Sequence, residues 1–408
     1  MRRALLIVFL IVLPLLLVGC VSMALPRVPT RISAPEASPS IPVDGGGVAR
    51  WEAGRPSLEA QFFDEVYGHL PAPVAPRVLE HRLVDEAAWG GVGRIEEYRL
   101  EVSGFETHLV IAMPSSADRP LPVVVLQMFC GNRAALGGRE DVAPPISPYA
   151  PNCDGSWQAV PVRMIFGEFI MAPPLETILA RGYAVALIYP GDIVPDHAEG
   201  AAERLATLSP AQESGAIIAW AWIYSRVVDV IDGDERFDFD RIAVWGHSRN
   251  GKSALLAGAL DPRIDLVIAH QAGTGGTTLN RSHAGESIAQ ITESYPHWFN
   301  ERYAAYAGRE DAMPLDQHQL IALMAPRPLL IGAAWRDQWS DPQGSFAAAL
   351  GANPVYALYG SDGLRQPGLD EFDPGADIAL FMRPGLHGVT GQDWENFLAF
   401  LDAHFMTE

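Results

Sequence analysis

From residue 97 to the C-terminus, short strand-like runs, most of them apolar, alternate with longer stretches whose apolar residues recur every three or four positions. The runs lie at 97–102, 108–113, 122–127, 183–189, 241–245, 264–269, 328–331 and 378–382; the helical stretches lie at 175–181, 213–231, 252–260, 315–324 and 394–404. Runs that are apolar throughout need cover on both faces, and a mainly parallel sheet between two layers of helices supplies it. The expected fold class is α/β, a three-layer sandwich around a mainly parallel central sheet. With 49% hydrophobic residues in 408, the chain can fill one large core. The pattern breaks around 270–308, where polar, Gly-rich and aromatic sequence reads as an insertion over the face that carries function. No internal repeat is seen.

The first twenty residues do not join this pattern. Arg2 and Arg3 precede an apolar run at 4–18, and Leu17-Val18-Gly19-Cys20 follows. This is a secretory signal, and its end resembles the bacterial lipobox, in which the cysteine is acylated. The run is too short for a bilayer, which needs roughly 20 apolar residues. The expectation is an exported protein held to a membrane by lipid on Cys20. Residues 1–19 are then signal peptide, 20–50 a tether rich in Pro, Ser, Ala and Gly, and 51–408 the folded domain. In an oxidising compartment Cys130 and Cys153 are either bridged or two buried thiols; the sequence fits both. A formal net charge of -20 argues against nucleic acid and anionic lipid surfaces as partners, because their phosphates repel it.

Two motifs overlap at residues 246–253. Gly246 to Ser253 matches the phosphate-binding pattern G-x-x-x-x-G-K-[ST]. Context argues against it: several strands come first, no adjacent strand ends in an acid suited to magnesium, and an exported protein meets little nucleotide. Gly246-His247-Ser248 also opens a nucleophile elbow, G-x-S-x-G, with Asn250 in the place of the second glycine and Gly251 one position later. An elbow projects the serine from the carboxyl edge of the sheet and sets a helix N-terminus beside developing negative charge.

The remaining machinery follows in the α/β-hydrolase order of serine, acid, histidine. Asp337 lies just past the run at 328–331, and His387, followed by Gly388, precedes the last helix. His318 sits on a helix and reads as structural; His247 reads as packing beneath the turn. Asp341 competes for the acid role, but it precedes Pro342 and reads as a helix cap. Lys252 is the single lysine among 29 basic residues, four positions after Ser248. A compact ammonium with rotatable donors suits a ligand there.

These residues resemble the glucuronoyl esterases, carbohydrate esterase family 15. Gly246-His247-Ser248-Arg249-Asn250-Gly251-Lys252 is similar to the family's G-C/H-S-R-x-G-K, and the stretch from His270 to Gly276 is similar to its Q-E-S-G-x-G-G. Pro296-His297-Trp298-Phe299, Asp316-Gln317-His318, Ala325-Pro326-Arg327, the stretch Asp337 to Pro342, and Phe129-Cys130-Gly131-Asn132 also fit. The likeness covers roughly residues 120–405. It implies cleavage of the ester between a glucuronic acid on xylan and a lignin alcohol, with glucuronoxylan as carrier and without metal or organic cofactor. It further implies Arg249 at the oxyanion, Lys252 on sugar hydroxyls, and Glu286 and Trp339 lining the uronate pocket. Two positions depart from the pattern. His247 replaces a cysteine, and Gln271 replaces the family's acid, which leaves Asp337 to fix the histidine. Outside this family, another carbohydrate or small-ester hydrolase of the same fold is the nearest alternative. A non-catalytic polysaccharide-binding surface lipoprotein is the alternative from another class.

Overall fold

The computed structural model describes residues 26–147 and 159–406, apart from 32, 34, 35, 44, 45, 211 and 212. A nine-stranded sheet runs through it: β1 (Arg77–Ala87), β2 (Gly93–Val102), β3 (Phe105–Pro114), β4 (Leu121–Gln127), β5 (Ala184–Ile188), β6 (Phe237–His247), β7 (Leu266–His270), β8 (Leu329–Ala334) and β9 (Ile378–Arg383). The spatial order is β1-β2-β3-β5-β4-β6-β7-β8-β9. β1, β2 and β3 pair antiparallel, β3 meets β5 antiparallel, and all pairings from β5 to β9 are parallel.

Every residue of β4, β5, β7, β8 and β9 is buried, as strands covered on both faces must be. Successive side chains feed two separate cores. Val123 and Val125 enter one with Trp220, Leu255 and Phe346; Val124 and Leu126 enter the other with Leu179, Trp394 and Phe397. Helices α1 (Ala216–Ile231), α2 (Arg249–Leu260) and α3 (Pro342–Leu358) cover the first face, and α4 (Gly391–Phe405) helps cover the second. This is the three-layer sandwich expected from the alternation.

Some elements differ from the sequence reading. β1 has no buried residue and no apolar face, so periodicity cannot reveal it. Its charges secure it to β2, through Arg77 with Glu101, Arg82 with Glu97 and His81 with Glu96, as suits an edge strand. A helix at Gly47–Phe62 begins inside the stretch read as tether. Ahead of it, the described part of that stretch lies on the domain. Val28 N–H donates to Trp335 O (2.6 Å), Gln343 Nε2 donates to Pro29 O (2.8 Å), and His318 Nε2 lies 2.8 Å from Pro39 O.

Candidate active site

The parallel strands deliver their carboxyl ends to one edge, where α/β sheets bind ligands. β6 ends at His247, and α2 starts at Arg249 with no intervening loop. The single residue between them, Ser248, takes φ 57° and ψ −120°, a backbone conformation that a non-glycine residue seldom holds. Its N–H donates to His270 O (2.8 Å), and its carbonyl accepts from Gly251 and Lys252. The turn is so tight that a Cβ at Gly246 would collide with the Asn250 carbonyl. Asn250 instead sends its amide to Gln127 O (3.2 Å). The phosphate-binding reading fails on chemistry too. Ser253 is fully buried and bonded to Gln127 Oε1 (3.1 Å), and the Lys252 ammonium donates to Ala272 O and Thr274 O (both 2.5 Å).

Asp337 follows β8 and His387 follows β9. Asp337 Oδ2 and His387 Nδ1 are 2.8 Å apart. Ser340 donates its N–H to Asp337 Oδ1 (3.3 Å), and its hydroxyl lies 3.3 Å from His387 Nδ1. Burial pushes the Asp337 carboxyl up, but His387 and the Ser340 hydrogen bonds outweigh it and hold it below the usual range. The His387 ring centroid is 4.6 Å from that of His247, the residue before Ser248. Asp341 is the cap of α3: it accepts from Gly344 N–H (3.0 Å) and from Ser282 Oγ (2.6 Å).

Gln271 contacts the histidine loop and not the histidine ring. Its Oε1 accepts from Gly388 N–H (2.7 Å), and its Nε2 donates to Leu386 O (3.4 Å). His270 Nε2 meets Gly388 O at 2.9 Å, in space kept open by Gly332, where a Cβ would strike the imidazole. Arg383 donates to Leu386 O (3.1 Å) and Gly388 O (2.6 Å) while paired to buried Asp393 (2.5 Å). The residues 386–388 are thus clamped through their backbone. Sequence reasoning missed His270, Arg383, Asp393 and Ser340; the sole signal was proximity to residues already singled out.

The other anticipated side chains lie on the same edge. Glu286, 8% exposed, joins the Trp339 backbone through its N–H (2.9 Å). Burial raises the Glu286 carboxyl pKa, while the charge of Lys252 and a hydrogen bond from the Trp339 side chain pull against the rise. Trp339 is 51% exposed, an aromatic face at the rim. Burial lowers Lys252 to about 8; Arg249 adds to the fall, and Glu286 and Asp337 oppose it. The expectation that Lys252 serves sugar hydroxyls needs enlarging, since the ammonium also ties the loop at 272–274. Arg249 pairs with Asp196. Cys130 is disulfide-bonded; Cys20 and Cys153 lie outside the described residues.

Comparison with known proteins gives a consistent family. A family model described as "Glucuronyl esterase, fungi" matches residues 170–360. Carbohydrate esterase MZ0003, from an unknown prokaryotic organism, is 34% identical over 383 residues, covering 90% of this chain and 88% of its own length. The 4-O-methyl-glucuronoyl methylesterase 1 of Wolfiporia cocos is 34% identical over 156 residues, which is 36% of this chain and 38% of that one. Among solved structures, a promiscuous CE15 esterase from a marine bacterial metagenome superposes with TM-score 0.78 at 30% identity, covering 94% of this chain and 99% of the other. A glucuronoyl esterase from Solibacter usitatus superposes with TM-score 0.74 at 30% identity, covering 94% and 100%. The chain therefore belongs to the glucuronoyl esterases, carbohydrate esterase family 15, and is a carboxylic ester hydrolase with the α/β-hydrolase fold.

Proposed function

We propose that the protein is a serine esterase for esters of glucuronic acid, acting on 4-O-methyl-glucuronoyl groups that link xylan to lignin alcohols. Ser248 Oγ attacks the uronate carbonyl as His387 Nε2 takes its proton. Asp337 holds the imidazole tautomer and compensates the imidazolium. The Arg249 backbone N–H and guanidinium receive the oxyanion. Collapse of the tetrahedral intermediate expels the alcohol, which takes the proton from His387. Water then attacks the acyl-enzyme by the reverse assignment and releases glucuronate. Lys252, Glu286 and Trp339 hold the sugar.

The observation that carries this reading is the 2.8 Å contact of His387 with Asp337, on loops beside a serine held at φ 57° between strand and helix. The Wolfiporia cocos relative supports the substrate class, being named a 4-O-methyl-glucuronoyl methylesterase. A Sporotrichum thermophile glucuronoyl esterase of the same fold was solved with methyl 4-O-methyl-β-D-glucopyranuronate. A less selective ester hydrolase is the second reading, favoured by the promiscuity of the marine relative.

Benzyl glucuronate set against aryl acetates separates the two. Higher kcat/KM on the glucuronate is expected, and equal or reversed preference selects the second reading. Ser248→Ala should lower both activities by several orders of magnitude, about 10⁴-fold or more, with the fold retained. Retained turnover in pure protein would refute the nucleophile. Export and acylation at Cys20 complete the proposal and place the enzyme on a cell-envelope membrane.

A further inference from the structure

The side chain of Arg249 is held by more than its own helix. Its guanidinium, 17% exposed, pairs with Asp196. Its central carbon lies 5.1 Å from the Phe129 ring centroid and 5.3 Å from that of Trp298. Asp196 is itself fixed, since its Oδ1 accepts from Trp298 Nε1 (2.7 Å) and meets His297 Nε2 at 2.9 Å. Burial, and then the charge of Arg249, push His297 down to about 4, so a neutral imidazole donates to Asp196.

The corner at 297–298 is in turn fastened to the start of α1. Ala216 N–H donates to His297 O (2.8 Å) and Ile217 N–H to Trp298 O (3.2 Å). Tyr295 stacks on the Trp298 ring at 3.8 Å and 4°. Three strand-end segments therefore converge on one guanidinium: Phe129 after β4, Asp196 after β5, and the 297–298 corner between β7 and β8.

We propose that Asp196, held by His297 and Trp298, is a positioning residue for ester cleavage that aims the Arg249 guanidinium at the carbonyl oxygen destined to become the oxyanion. The inference rests on the roles given above to Ser248 and Arg249. A guanidinium is planar with five N–H donors, so one edge can meet a carboxylate while another meets the oxyanion, and its faces can stack. An ammonium offers no such division. A guanidinium already stacked and paired needs little reorganisation when charge develops, which is where fixed donors gain their effect.

The test is a double-mutant cycle on Asp196 and Arg249, read by p-nitrophenyl acetate hydrolysis and by the rate at which a fluorophosphonate labels Ser248. Neither probe carries a uronate. Asp196→Ala should slow both by about 10- to 100-fold, with KM for the acetate within about threefold of wild type. In the Arg249→Ala background the same change should add less than about twofold. Asp196→Asn, which keeps the shape and one acceptor oxygen, should fall between; where melting shows that Asp196→Ala does not fold, the cycle is read with Asp196→Asn. Equal penalties in both backgrounds, or wild-type rates for Asp196→Ala, would overturn the inference. Should benzyl glucuronate not be hydrolysed while Ser248 labels normally, the substrate proposal fails and the cycle still decides this one.

Discussion

His387 is held from two sides by different means. On one side a carboxylate meets the ring, Asp337 Oδ2 at 2.8 Å from Nδ1. On the other, Gln271, His270 and Arg383 touch only the backbone of residues 386–388. In the proposed mechanism, charge compensation and placement then fall to separate residues. On that proposal a neutral amide can serve at 271, where its Nε2 faces a carbonyl that a carboxylate would repel.

The largest effect should come from the charged side. Asp337→Asn should lower kcat by about 10⁴-fold, because an amide leaves the imidazole tautomer unfixed and its charge uncompensated. Steady-state kinetics on an aryl acetate would check this, and a loss below tenfold would end the division of roles.

Lys252 combines both roles, with its ammonium on two backbone carbonyls and its charge opposite Glu286. Lys252→Met should cost about 10- to 100-fold on glucuronate esters and markedly less on acetates. Wild-type activity on glucuronate should also decline as pH rises through about 8, where Lys252 loses its proton, and this limb should vanish in Lys252→Met. Unfolding cannot mimic it through this group. With its pKa lowered in the fold, the unfolded chain binds more protons between about 8 and the ordinary lysine value of 10.5, so stability rises with pH there. A pH profile shared by both substrates would assign Lys252 to the loop alone.

On the backbone side, Gln271→Ala removes two hydrogen bonds and should cost about tenfold in kcat. Gln271→Glu should rescue Asp337→Asn by less than about tenfold, since the side chain addresses Gly388 N–H and not the ring. A larger rescue would show that a carboxylate at 271 reaches the imidazole. The smallest effect belongs to Cys20→Ser. It should move the protein out of the membrane fraction in its host and leave kcat on soluble esters within about twofold. An unmodified mature N-terminus by intact mass would refute the anchor.

Legibility in the sequence follows the same division. The parallel strands are apolar throughout because both faces are covered, so the half of the sheet that places the site is readable. β1 is not, since its exposed, charged residues carry no period. α3 is obscured by Pro354 and its Gly and Ala content, although Asp341-Pro342 marks its start. Asp337 and His387 could be found because each follows a strand in a known order. Asp196 and His270 could not, because each works through a contact between segments far apart in the chain. Arg383 and Asp393 lie ten residues apart and pair with each other, but the pair acts on backbone carbonyls through Arg383 and leaves no side-chain motif.

Substitution tolerance around Ser248 runs against its motif. A search for G-x-S-x-G asks for glycine at 246 and 250 alike, and it passes over this chain. What the fold requires is clearance between strand and helix. At 246 no side chain fits. At 250 a side chain is present and bonded to Gln127 O. The second close approach has moved to Gly251, where a Cβ would stand 3.0 Å from both Gly246 O and His270 O. A profile that scores that clearance, with glycine at 246 and 251 and freedom at 250, would retrieve elbows that the five-letter pattern discards.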